Sequence, residues 1–248
     1  MPWKPISESQ NIMHHIIKTS MLALAVMFVS CGKKWKETTS VDVHFLMTYN
    51  STGILEISSC TMAVGELDFS GKRKKGGDVS FSDVESTPLL LNLKNGAIQS
   101  ADHYDIPQGE YTSINMVVKA VSQNTAPGIS LSGIFTDYTH DSLEEQDELK
   151  KEMIPVLFEF NTGQNFNINT TAANGSNQIV LIEGTPATCE ISFDPYYWLA
   201  TITKKQLEDA AKYTINGVKT IVINETQNQD LYALIVARIN QTATAVFK

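Results

Sequence analysis

From Ser40 to Phe193 apolar and polar residues alternate in short runs, the period-two signature of half-buried strands. "SVDVHFLMTY" (40–49) alternates, and "ILEISSCTMAVGELDFSG" (54–71) continues as a long strand in which Gly65 marks a bend or bulge. Further strands are predicted over "DVSF" (78–81), "PLLLNL" (88–93), "EYTSINMVVKAV" (110–121) and "GISLSGIF" (128–135). "IPVLFEF" (154–160), "NFNINT" (165–170), "NQIVLIEG" (177–184) and "TCEISF" (188–193) complete the set. The clusters "NSTG", "GKRKKGG", "NTAPG", "NTGQN" and "AANGSN" supply the turns between them. Short strands with regular turns predict a mainly β domain, a sandwich or barrel.

The period changes after Phe193. Thr203 and Gln206 are spaced as a capping box, so a short helix is predicted over 204–212. "INGVKTIVI" returns to strand, and Leu231, Leu234, Ile235, Arg238 and Ile239 then fall at helical spacing. "ATAVF" closes the chain as a last strand. A further helix, solvated and crossing between strands, is predicted for the acidic run "DSLEEQDELKKE" (141–152), where Ser142 and Glu145 form a capping box.

The N-terminal pattern is different again. Met21–Val29 is unbroken apolar sequence, far short of the ~20 residues that span a bilayer as a helix. Lys4, His14, His15 and Lys18 precede it, as in a signal peptide. It ends in Phe28-Val29-Ser30-Cys31, which resembles a bacterial lipobox with Phe28 at the place usually held by leucine. The expected organisation is a lipoprotein signal peptide over 1–30, Cys31 lipidated as the first mature residue, a tether over 31–39, and one domain over 40–248. Met13 begins a compact n-region of its own, so translation is expected to start there. Lys33, Lys34 and Lys36 suit anionic headgroups and Trp35 the interface; a solvated linker is the alternative. Gly32 follows the cysteine where aspartate marks inner-membrane retention, which implies the outer membrane, with the leaflet open.

Charge narrows the function classes. The chain carries a formal −8, and residues 1–30 hold two lysines and one glutamate, so the processed chain carries −9. Nucleic acid is excluded as a partner on this ground, since its binding relies on basic residues neutralising phosphates. Beyond Cys31 only Cys60 and Cys189 remain, each in phase with apolar neighbours. An oxidising compartment permits a disulfide between them, and two buried thiols are the alternative.

Candidate chemistry is sparse. "GKRKKGG" (71–77) ends in Gly-Gly-Asp before a strand, so it lacks the Gly-Lys-Ser/Thr of a phosphate loop and reads as a basic hairpin tip. Its Lys72, Arg73, Lys74 and Lys75 suit acidic polysaccharide or lipid headgroups. Tyr196, Tyr197 and Trp198 form a candidate sugar-stacking platform, with packing as the competing role. His44, His103 and His140 show no ligand spacing, so no metal site and no cofactor is expected. "GISLSG" (128–133) lacks the Gly-x-Ser-x-Gly elbow.

The most specific stretch is "DIPQGEYTSINMVVKA" (105–120). Pro107 presets a β-turn and Gly109 fits its end. A strand then follows, expected to bury Thr112, Ile114, Met116 and Val118 on one face. With "MAVGELDFSGKRKKGGDVSF" and "LNLKNG" upstream, the closing "IVINETQNQDLYALIVARI" and the lipobox, this order resembles a family of uncharacterised Gram-negative bacterial lipoproteins. The resemblance implies an immunoglobulin/prealbumin-like β-sandwich with short C-terminal helices at the outer membrane, and it brings no catalytic residues. The expected function is a non-enzymatic, lipid-anchored binding or structural module, with glycan or envelope protein as partner. The alternative is a pilin-like assembly subunit exchanging its terminal strand "TATAVF" with a neighbour.

Overall fold

Strand β2 (Leu55–Arg73) organises the molecule, because three other strands hydrogen-bond to it. In the computed structural model the described residues are 34–48, 55–94, 96–123, 126–140, 149–161, 163–241 and 243–248. Along one edge of β2 runs the antiparallel β3 (Val79–Lys94). Its other edge pairs first with β6 (Ile129–His140), from Leu55 to Met62, and then with β5 (Gly109–Ala120), from Val64 to Arg73. The change of partner falls at Gly65, where the register slips on both edges. The expected bulge is there.

The remaining strands extend this pairing into one large mixed sheet. On one side β6 pairs with β7 (Leu149–Phe160), then come β12 (Val218–Ile223) and β11 (Lys212–Ile215). On the other, β5 is followed by β8 (Gln164–Ala172), β13 (Thr244–Phe247), β10 (Ala187–Phe193), β1 (Thr38–Met47) and β4 (Ile98–Pro107). A short β9 (Ile179–Leu181) pairs with β5. The pairs β1–β10, β7–β12 and β8–β13 are parallel. The closing strand β13 is thus an inner strand of its own chain, held between β8 and β10.

Alternation explains which side of each strand is buried. In β1, Val41, Val43, Phe45 and Met47 are buried while Asp42 is exposed. In β5 the buried set is Tyr111, Ile114, Met116, Val118 and Ala120, and Thr112 lies outside. This corrects the expected face: the register slips between Lys72 and Arg73, which face Ser113 and Tyr111, so Thr112 is the extra residue of a bulge. Buried side chains from β1, β2, β5, β8 and β10 merge into one apolar core that includes Phe45, Phe69, Phe166 and Phe193.

Three short helices follow β10. In α1 (Pro195–Leu199) the Asp194 carboxylate accepts from the amides of Tyr196 and Tyr197, and Pro195 takes the first helical position. The capping box predicted for α2 (Lys204–Asp209) is present: Thr203 Oγ1 accepts from the Gln206 amide at 3.3 Å, and Gln206 Oε1 accepts from the Thr203 amide at 2.9 Å. In α3 (Gln229–Ile239) Leu231, Ile235 and Ile239 are buried, as the spacing predicted. Of the acidic run, 141–148 lie outside the described residues, and Leu149–Glu152 are strand, not helix, because they pair with Asp137–His140 of β6. No helix among the described residues is long and apolar enough to cross a membrane.

Candidate functional site

The basic hairpin tip is joined to the N-terminal segment by one side chain. Arg73, the last residue of β2, donates from Nε to the Gly77 carbonyl at 2.7 Å, closing the tip on itself. Its Nη1 donates to the carbonyls of Trp35 at 2.8 Å and Gln108 at 3.1 Å. The guanidinium is a planar fork of donors that never loses its charge, which suits it to several carbonyls at once. Gly109 makes room for this crossing. Its φ is +151°, and a Cβ there would lie 3.0 Å from Arg73 Cδ.

Around this staple the two segments are laced together. The Gln108 amide donates to the Glu37 carbonyl at 2.8 Å, and Gln108 Nε2 donates to the Glu37 carboxylate at 3.3 Å. Lys74 pairs with Glu110 at 3.1 Å. Beneath them the Tyr111 hydroxyl donates to the Pro107 carbonyl at 2.6 Å, while its ring meets Phe69 edge-on. Burial pushes the Tyr111 phenol up to about 12. Lys36, Lys72 and Lys75 remain exposed. Of the four basic residues singled out in the hairpin, Arg73 is therefore structural and Lys74 is paired, leaving Lys72 and Lys75 open to a partner.

The aromatic half of the expected ligand surface lies at the other end of the sheet. Strand β1 runs from Thr38, opposite Pro107, to Met47, opposite Phe193, two residues before the start of α1. Ten strand residues separate the two ends, about 30 Å at strand rise. Lys72–Lys75 and Tyr196–Trp198 thus do not form one site. Nor are the three rings equivalent: Trp198 is fully buried, stacked near Phe166 at 6.1 Å, whereas Tyr196 and Tyr197 are 37% and 36% exposed. The Arg238 guanidinium covers the Tyr197 ring at 3.9 Å, and Arg238 Nε donates to the Tyr197 carbonyl at 2.9 Å.

Two polar features were not singled out from sequence. Asp83, Glu85 and Asp102 bring ligating oxygens within 4.8 Å of one another, an oxygen set whose chemistry suits a hard cation. The Tyr104 hydroxyl donates to Asp83 at 3.0 Å, and burial together with these carboxylates holds its phenol well above the usual range. A cleft of about 460 Å³ opens between α2 and the start of α3, lined by Gln206, Asp209, Thr226, Asn228, Gln229 and Asp230 among others. Both features join residues from separate elements, so only the β3–β4 and α2–α3 packing reveals them.

Of the histidines, His103 meets Asp42 at 3.0 Å and Asp105 at 3.9 Å; the Asp42 hydrogen bond raises its pKa above the ordinary histidine value. Cys60 and Cys189 are free and buried. Cys60 contacts the Thr61 carbonyl at 3.8 Å and Cys189 the Met116 sulfur at 3.7 Å. Burial pushes both thiols up to about 12. Cys31 and the preceding apolar run lie outside the described residues. Compared with models of protein families, with curated proteins and with solved structures, the chain gives no match.

Proposed function

We propose that this chain is a lipid-anchored outer-membrane lipoprotein whose β-sandwich acts as a non-enzymatic binding or structural module. The observation that carries the reading is where the lipobox leads. Trp35, only four residues beyond Cys31, is held by Arg73 against the basic hairpin. A lipid on Cys31 would therefore hold a defined end of the domain at the membrane, with no long free linker between. Several acyl chains on one residue make a stable anchor without a spanning helix.

Two features support a sandwich over an open sheet. Strand β2 exchanges β6 for β5 at the Gly65 bulge, which is how one strand serves two layers. The Tyr111 hydroxyl bonds back to Pro107, four residues upstream, as in the tyrosine corner of immunoglobulin-like domains. Fold-level likeness says nothing of a ligand. Terminal-strand exchange would require β13 to leave its place between β8 and β10, and no observation favours that reading.

Metabolic labelling with an alkyne fatty acid in a Gram-negative host tests the anchor. The wild-type chain should be labelled and partition with membranes after high-salt washing. Cys31→Ser should lose the label. A labelled Cys31→Ser chain, or an unlabelled wild type, would overturn the reading.

A further inference from the structure

Lys36, Lys72 and Lys75 are exposed, and no ion pair joins any of them to an acid among the described residues. By contrast Lys119, Lys204, Lys205 and Lys248 are each tied to carboxylates. The exposed Lys94, Lys212 and Lys219, also without an ion pair among the described residues, stand apart from this end, at the opposite end of β3 and on β11 and β12. The three open lysines come from the N-terminal segment and the β2–β3 hairpin, and the Arg73 staple makes those segments one face. Of the local acids, Glu37 accepts from Gln108 and Glu110 pairs with Lys74, while Asp78 and Glu183, whose amide donates to Gln108, are exposed. On a chain of net charge −8, this end gathers Lys36, Lys72, Arg73, Lys74 and Lys75 against Glu37, Asp78, Glu110 and Glu183, so basic residues are concentrated here. The N-terminal residues also join the domain here, and four residues from Cys31 to Trp35 reach at most ~14 Å.

We infer that this end is a docking surface for anionic phospholipid headgroups, setting the sheet upright with α1 directed away from the bilayer. The inference rests on the lipid-anchor reading for the tether alone; attraction between lysines and headgroups is a separate, salt-sensitive contribution. Each basic residue near an anionic surface strengthens binding about fivefold, so three together supply roughly a hundredfold. High salt removes it by screening.

The test uses the full lipidated chain in vesicles of phosphatidylcholine alone, or with a minor share of phosphatidylglycerol. A fluorophore is attached at Gly77→Cys, where an added Cβ meets nothing within 4 Å, or at Ala97→Cys in the exposed turn at the far end of β1. Cys60 and Cys189 stay silent because they are buried. A headgroup-bound quencher should dim the Gly77→Cys probe several-fold more than the Ala97→Cys probe, in phosphatidylglycerol vesicles only. High salt, or Lys36→Gln with Lys72→Gln and Lys75→Gln, should abolish the difference. Equal quenching at both ends, indifference to phosphatidylglycerol, or displacement by soluble polygalacturonate would overturn the inference, the last assigning the surface to acidic glycans. Flotation in high salt reads the anchor by itself: a chain that fails to float sinks the lipid-anchor reading, while quenching at low salt still judges this surface.

Discussion

Arg73 Nη1 donates to the Trp35 carbonyl at 2.8 Å, and through this bond the last turn before β1 is fixed to the tip of β2. The same guanidinium reaches Gln108 and Gly77, so one residue satisfies three carbonyls from three segments. Replacing Arg73 by Met keeps the apolar stem and removes the donors. Stability in urea should fall by about 1–3 kcal/mol, and the Gln108 amide, bonded to Glu37, should exchange faster with deuterium. Arg73→Lys should recover only part of this, since an ammonium is a point charge without the fork. Unchanged exchange at Gln108 would show that the N-terminal segment is held by other contacts.

Tyr111→Phe removes only the hydroxyl that reaches Pro107. The ring would keep its place against Phe69, so packing is conserved and the loss is one buried hydrogen bond. The expected cost is about 1–2 kcal/mol, read from urea midpoints at unchanged slope. A neutral result would mean that Arg73 and the Gln108–Glu37 bonds hold the turn at Pro107–Gly109 without the hydroxyl.

Cys60 and Cys189 give the protein an alkaline limit. Burial holds both thiols neutral in the folded state, with pKa about 12, whereas the unfolded value is about 8.5. The folded value is the higher, so the stabilisation is complete below the unfolded pKa and is lost as pH rises towards the folded one. Between those limits each thiol should remove about 1.4 kcal/mol per pH unit. Tyr111, raised in the same direction, adds to the fall once its unfolded form ionises near 10. Urea unfolding followed from neutral to alkaline pH measures the slope, and Cys60→Ala with Cys189→Ala should flatten its lower part. In native protein neither thiol should react with a disulfide reagent at neutral pH; rapid reaction would show that these sites open.

The strand order from Ser40 to Phe193 was legible because period-two alternation and turn residues are local properties. What escaped depends on partners. Strand β4, "IQSADHYDIP", carries Asp102, His103 and Asp105 on an exposed edge and buries Ile106, so its own residues show little apolar alternation. "DVSF" and "PLLLNL" read as two strands, yet both pair with β2, on either side of the Gly65 slip where residues 85–88 have no β2 partner, and so form one strand. Thr112 was placed inward because a bulge is visible only against the strand opposite. The basic tip and the aromatic triplet were both found, but not that they occupy opposite ends, nor that Arg73 serves the backbone. Those facts follow from the β1–β10 register and from carbonyls far off in sequence. Within one turn of α1, Trp198 faces the core while Tyr196 and Tyr197 stay at the surface.

Gly133 illustrates the same dependence and yields the last prediction. In sequence it is one glycine among apolar residues of "GISLSGIF", with no turn beside it to explain it. In the structure it faces Ile57 of β2, where the register slips so that Ser59, not Ser58, meets Ser132. The bulge brings the β2 backbone so close that a Cβ on Gly133 would sit 2.4 Å from the Glu56 carbonyl oxygen and 2.8 Å from Ile57 Cδ1. Ile57 can turn aside, but a carbonyl held in a strand cannot without breaking its pairing. Gly133→Ala should therefore cost about 1–3 kcal/mol, in the range of overpacked cores, although alanine ordinarily stiffens the unfolded chain to the protein's advantage. Gly77→Ala, in open space at the hairpin tip, is the matched control and should change stability little. If both variants unfold at the wild-type urea midpoint, the β2–β6 bulge is looser than its register indicates.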